Sequence, residues 1–153
     1  MDSGPRTRDD RGMKKLLPLA VAVALVGVAV FAVASAGAAN TTITVSMNGK
    51  QEVPKGDPNG KGTAKVTLQP SKGRVCFNLT WHQIGKPVAS HIHQAKKGSS
   101  GPIVIPFFAG TAKHTGCVKA AKSLINKIAK KPSNYYVNIH TAAFPGGAVR
   151  GQL

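Results

Sequence analysis

The chain has 153 residues and carries 21 Lys and Arg against 5 Asp and Glu, a formal charge of +16. That length is room for one domain, and so few carboxylates argue against a paired-carboxylate acid–base mechanism. From Asn40 onward 16 basic residues face only Glu52 and Asp57, a balance of +14, so the charge belongs to the body of the protein and not to its start. Such a surface attracts anionic cell-envelope polymers, anionic headgroups or a protein partner; the alternative is a general solubility charge with no partner. The lysines are scattered, with pairs only at Lys96-Lys97 and Lys130-Lys131 in this part. Aromatics make up 5% of the chain. Neither feature builds a nucleic-acid groove or a stacking platform.

Residues 1–39 read as a signal peptide. Lys14-Lys15 precedes an apolar run from Leu16 to Ala36, broken by Pro18 and ending in Ala34-Ser35-Ala36-Gly37-Ala38-Ala39. That is a positive region, an apolar region and small-residue cleavage sites. Met13 is an alternative start, and an uncleaved single-span anchor is the rival reading. In either case the lysine pair holds the N-terminus inside, and residues 40–153 are exported as one domain. Export makes a disulfide between Cys76 and Cys117, the only cysteines, the expected state. They lack the CxxC spacing of a redox or metal pair.

Thr41–Met47 alternates Ile43, Val45 and Met47 with polar residues, which predicts a half-buried strand. Lys50–Gly62 is rich in Pro and Gly and predicts a long connection. Gly62–Leu68 alternates again, placing Ala64, Val66 and Leu68 on one face. Arg74–Trp81 follows a Pro-Ser-Lys-Gly turn and points Val75, Phe77, Leu79 and Trp81 inward, with Cys76 on the other face or at a sheet edge. Ala89–His93 is a short strand. Ile103–Phe108 is apolar on both faces, yet Pro106 moves it toward an edge. Ala120–Lys130 carries Leu124, Ile125 and Ile128 at helical spacing, and Pro132 ends it. Residues 135–153 form a closing hairpin around a Gly/Pro loop. Together these predict an all-β, mainly antiparallel fold: a Greek-key-like β-sandwich or barrel with one short helix.

Strand alternation puts His91 and His93 on one face, with Ile92 opposite. Asn138 and His140 share a face of the next-to-last strand, and Arg150 and Gln152 share a face of the last. Two histidines of a His-x-His strand sit about 7 Å apart, within reach of one ion, so His91, His93 and His140 are candidate copper or zinc ligands. The competing reading gives them structural hydrogen bonds to backbone and to Arg150, with Asn138, Arg150 and Gln152 as a ligand-binding or structural polar cluster. No activated nucleophile or phosphate-binding loop is visible, and no catalytic residue is assigned. His82 and His114 receive no role.

Three blocks carry a resemblance. They are Asn48-Gly49-Lys50-Gln51-Glu52-Val53-Pro54; His91-Ile92-His93 with Gly98-Ser99-Ser100-Gly101-Pro102-Ile103-Val104; and Tyr136-Val137-Asn138-Ile139-His140-Thr141 with Phe144-Pro145-Gly146-Gly147-Ala148-Val149-Arg150-Gly151-Gln152-Leu153. Over Thr41–Leu153 the chain resembles the chordin-type (CHRD) domain family. The resemblance implies an extracellular β-rich domain without an agreed enzymatic activity, as in bacterial secreted proteins and in the animal chordin that binds bone morphogenetic proteins. Gln94-Ala95-Lys96-Lys97 departs from the family's usual turn after the His-x-His strand, and Ala148 stands where relatives often have an acidic residue. Both departures make this copy more basic. The His-x-His strand is also similar to that of the copper–zinc superoxide dismutases, although their bridging histidine and ligating aspartate have no visible counterpart. The expected function is therefore an exported, non-catalytic binding or structural module with a basic surface; the alternative is a copper- or zinc-binding domain, remotely dismutase-like.

Overall fold

The computed structural model describes residues 39–153, together with the isolated Gly4. The expected signal peptide or anchor lies, apart from its last residue and Gly4, outside the described residues. Eight strands follow in order: β1 (Thr41–Asn48), β2 (Lys61–Gln69), β3 (Arg74–His82), β4 (Pro87–Gln94), β5 (Ile103–Ala109), β6 (Thr115–Lys119), β7 (Tyr135–Thr141) and β8 (Val149–Gln152). One helix, α1 (Lys122–Lys130), lies between β6 and β7. All strand pairs are antiparallel, in the order β5-β4-β7-β8-β1-β2-β3-β6. The end strands β5 and β6 lie against each other, so the sheet curls into a nearly closed barrel. Of the two architectures expected from the sequence, the barrel form is the one adopted.

Alternation along the strands explains the interior. Ala64, Val66 and Leu68 from β2, and Val75, Phe77 and Leu79 from β3, are all buried and meet Ile92, Ile105, Phe107, Val137, Ile139 and Val149 from the other half. Phe77 and Phe107 stack across the barrel with ring centroids 4.5 Å apart. Burying side chains of this size contributes about 1.5–3 kcal/mol each. The helix begins at Lys122, two residues later than its periodicity suggests, because Ala121 is extended and serves as the N-cap. Its apolar stripe buries Ile125 and Ile128 and packs against β2 and β3.

Two local features tie the barrel together. Cys76 and Cys117 are direct register partners on β3 and β6 and are joined by a disulfide. Cys76 therefore faces away from the core, as alternation requires, and its bridge clips the edge strand β6 onto β3. At the opposite end of the order, Pro106 sits exposed on β5 opposite His91. Lacking an N–H, proline cannot complete a ladder there. The β4–β5 register shifts between Ser90 and His91 and again between Ile92 and His93. Shifts of this kind alter the aim of neighbouring side chains.

Candidate functional site

Registers on the outer face of the barrel line up the polar residues of three consecutive strands. His91 is paired with Asn138, His93 with Tyr136, Asn138 with Arg150, and Tyr136 with Gln152. Antiparallel partners point to the same side of a sheet. One face of β4, β7 and β8 thus carries His91, His93, Tyr136, Asn138, His140, Arg150 and Gln152, while Ile92, Val137, Ile139 and Val149 point into the core. The convergence of three histidines on this face, expected from alternation, requires β4 and β7 to be neighbours although 40 residues of chain separate Gln94 from Tyr135 in sequence.

This face is covered. The β4–β5 loop, residues 95–102, folds over it and is held by its carbonyls. Arg150 Nη1 donates to Ser99 O at 2.8 Å, and Nη2 donates to Lys96 O at 3.0 Å and to Gln152 Oε1 at 2.9 Å. Gln152 Nε2 donates to Ala95 O at 3.0 Å, Ser133 O at 2.9 Å and Tyr135 O at 2.7 Å. The β1–β2 loop joins the cover through Ser100 Oγ, which donates to Val53 O at 2.6 Å. The β7–β8 loop meets it where Asp57 N–H donates to Ala148 O at 2.9 Å.

Under this cover the imidazoles are oriented by backbone. His93 Nδ1 lies 2.9 Å from Gly101 O, and His140 Nδ1 lies 2.8 Å from Pro145 O. A carbonyl only accepts, so each Nδ1 carries the proton, and the Nε2 of each neutral ring keeps its lone pair. Those two Nε2 atoms are buried with no partner, and so is His91 Nδ1. One ring nitrogen from each of the three residues lies within 4.8 Å of the others. A point central to such a triangle is at most about 2.8 Å from each nitrogen; closing it to the roughly 2.0–2.1 Å of a metal–imidazole bond takes a shift of well under 1 Å in each ring. The ring centroids of His91 lie 5.4 Å from His93 and 4.9 Å from His140, both edge-on.

Stacking fixes His93 further. Its ring lies parallel to Tyr136, 4.7 Å between centroids with 4° between planes, and Arg150 Cζ sits 3.4 Å from the centre of the Tyr136 ring. Arg150, Tyr136 and His93 form a continuous stack of guanidinium, phenol and imidazole, a geometry in which the arginine is held by a cation–π contact as well as by carbonyls.

Burial dominates the electrostatics. Desolvation lowers the pKa of His91 to about 4, and the neighbouring His140 and His93 lower it further against a hydrogen bond with Asn138. Desolvation also lowers that of His140, against the Pro145 carbonyl. Both shifts favour the neutral imidazole at His91 and His140, the form that binds metal. Glu52, from the β1–β2 loop, is 4% exposed. Desolvation raises its pKa to about 7, although the charge of Arg150 and hydrogen bonding with Asn138 oppose the shift. Gly147, at φ +133°, gives Glu52 its space, because a Cβ there would collide with Glu52 Oε1.

A family model described as the CHRD domain matches residues 43–153. The chain belongs to the CHRD domain family. No curated protein and no solved structure matches it. The three sequence blocks of the CHRD domain are the pieces that meet here: the first supplies Glu52, the second His91, His93 and the strapped loop, the third Asn138, His140 and Arg150.

All six polar residues singled out from the sequence — His91, His93, Asn138, His140, Arg150 and Gln152 — sit on this face. His93 and His140 each give one nitrogen to backbone, as the structural reading expected, and leave the other unpaired. The hydrogen bonds of Arg150 go to carbonyls and to Gln152, and none goes to a histidine. Two members were missed. Glu52 was visible as one of only two acidic residues after Asn40, but it lies in a turn-rich stretch whose burial local sequence does not reveal. Tyr136 falls on the face of Asn138 and His140 by the same alternation, but its stack on His93 depends on the β4–β7 register. His114 lies elsewhere, stacked on Trp81 at 3.8 Å with Nδ1 2.9 Å from Leu79 O.

Proposed function

We propose that this CHRD domain is an exported binding module that holds one transition-metal ion, copper or zinc, between His91, His93 and His140. The observation that carries the reading is that His91, His93 and His140 each bring a ring nitrogen within 4.8 Å of the others, and that each also has a buried ring nitrogen without a partner. A buried polar atom without a partner costs about 1–3 kcal/mol, and three together are explained economically by a shared ion. The backbone carbonyls of Gly101 and Pro145 serve as the outer partners that orient the donor rings. Metal content of the disulfide-bonded domain, measured after loading with Zn²⁺, Cu²⁺ or ascorbate-reduced copper and dialysis, tests it. About one equivalent of at least one of these is expected for the wild type and background for the His91→Ala, His93→Ala double variant; wild-type protein at background with all three ends the proposal.

A second reading concerns the surface. Lys127, Lys130 and Lys131 surround one shallow cavity with Asn134 and Tyr135 at the C-terminal end of α1. With the +14 balance, this supports docking on an anionic cell-envelope polymer. Binding to a polyanion should weaken steeply between low and physiological salt, and charge reversal at Lys127 and Lys131 should weaken it again. Salt-independent association rules that reading out.

A further inference from the structure

We propose that the three-imidazole site is selective for monovalent copper, Cu(I), over divalent ions. The inference rests on the metal-binding reading and specifies the cargo. Among the described residues, the cluster contains three histidines and no carboxylate or thiolate. Every donor is neutral, so an ion in this place keeps its whole charge. His93 is 8% exposed, and the donor-side atoms His93 Nε2, His140 Nε2 and His91 Nδ1 are buried. The cost of burying an ion grows steeply with its charge, so a divalent ion with no anionic ligand is penalised far more than a monovalent one.

The surroundings push the same way. Arg150 is 1% exposed and sits one aromatic ring from His93, through the stack described above. Its repulsion of a divalent ion is twice that of a monovalent ion at the same distance. Glu52 is the buried carboxylate of this face, but it is outside the donor cluster and lies toward Asn138 and Arg150. The domain as a whole is strongly cationic and supplies no long-range relief.

Coordination number adds a third argument. Three inward donors under a strapped loop suit a d¹⁰ monovalent ion that is content with three ligands. Zn²⁺ prefers four, and Cu²⁺ prefers a tetragonal set. The register of β4 and β7 fixes two donors on one strand and one on the next, three in all. The disulfide also matters here. With Cys76 and Cys117 bridged, no thiolate competes with the imidazoles for Cu(I).

The test is an anaerobic titration of the oxidised, disulfide-intact domain with Cu(I), held reduced by ascorbate, against a chromophoric Cu(I) chelator. Zn²⁺ and Cu²⁺ are titrated in parallel against their own chelators, and bound metal is counted by elemental analysis. The expected result is one equivalent of Cu(I), bound more tightly than Zn²⁺ by more than about tenfold. The site should be lost in the His91→Ala, His140→Ala double variant and kept in His114→Ala. Zn²⁺ or Cu²⁺ bound as tightly as Cu(I) overturns the selectivity and leaves the metal site standing. Failure of the wild type to retain any of the three ions overturns both. Because the wild-type titrations decide between these outcomes, a variant that fails to fold does not block the test.

Discussion

At the scale of single residues, the covered face places neutral imidazoles beside a carboxylate that resists ionisation. Glu52 is the clearest case. Its folded pKa is raised to about 7 from 4.5 by burial. The stability associated with this group is therefore fully present below pH 4.5 and is lost as pH rises through about 7. Glu52→Gln should raise the unfolding temperature by about 3 °C or more at pH 8 and leave it nearly unchanged at pH 4.5. Thermal unfolding of both proteins at the two pH values measures this; an equal shift at both would show that the carboxylate's charge is not the cause. Gly147 belongs to the same corner. Its backbone conformation and the closeness of Glu52 Oε1 both require the absence of a Cβ.

Elements hold together through straps that join non-adjacent pieces of chain. The β4–β5 loop is pinned by Arg150 and Gln152 from β8, so its shape depends on residues about fifty positions away. Lysine cannot reproduce the forked set of bonds that the guanidinium makes to two carbonyls and an amide while lying on Tyr136. Arg150→Lys is expected to cost about 2–4 kcal/mol in urea unfolding and to speed trypsin cleavage after Lys96 or Lys97, as the loop comes free. Loss of stability without faster cleavage would place the damage elsewhere. The second strap is the bridge between β3 and β6, closing 41 positions of chain. By the chain-entropy model, the Cys76→Ser, Cys117→Ser double variant loses about 4 kcal/mol, read as a lower urea midpoint with a steeper slope, because the unlinked unfolded chain exposes more surface. The bridge and the family are both consistent with an extracellular location, where such a bond persists.

At the scale of the whole molecule, a barrel with an apolar interior also carries a buried polar layer on part of its outside. In the metal-free protein that layer has a pH signature opposite to that of Glu52. His91 is lowered to about 4, and His140 is lowered as well, both chiefly by burial. Their contribution is fully present above the unfolded value of 6.5 and is lost as pH falls through the folded value. Global stability followed from pH 7 to pH 4 should therefore decline more in wild type than in a His91→Gln, His140→Gln variant. Parallel curves would deny the imidazoles a part in acid destabilisation.

Period-two patterning in β1, β2 and β3 was enough to assign their inward faces, because each strand's own residues carry the contrast between core and solvent. The helix stripe and the edge character forced by Pro106 were legible for the same local reason, as were the family blocks, and the pairing of the two cysteines was legible because the chain has no others. Alternation also showed which side of its strand each histidine takes. Which strands became neighbours was another matter. The order β4-β7-β8 brings His91, His93 and His140 within one ion's reach, lays Arg150 on Tyr136 and buries Glu52 behind Asn138; the first and last of these depend on contacts between segments forty to a hundred positions apart. Side-chain alternation is a property of one strand, whereas desolvation and coordination arise only when several strands and their loops close over the same place.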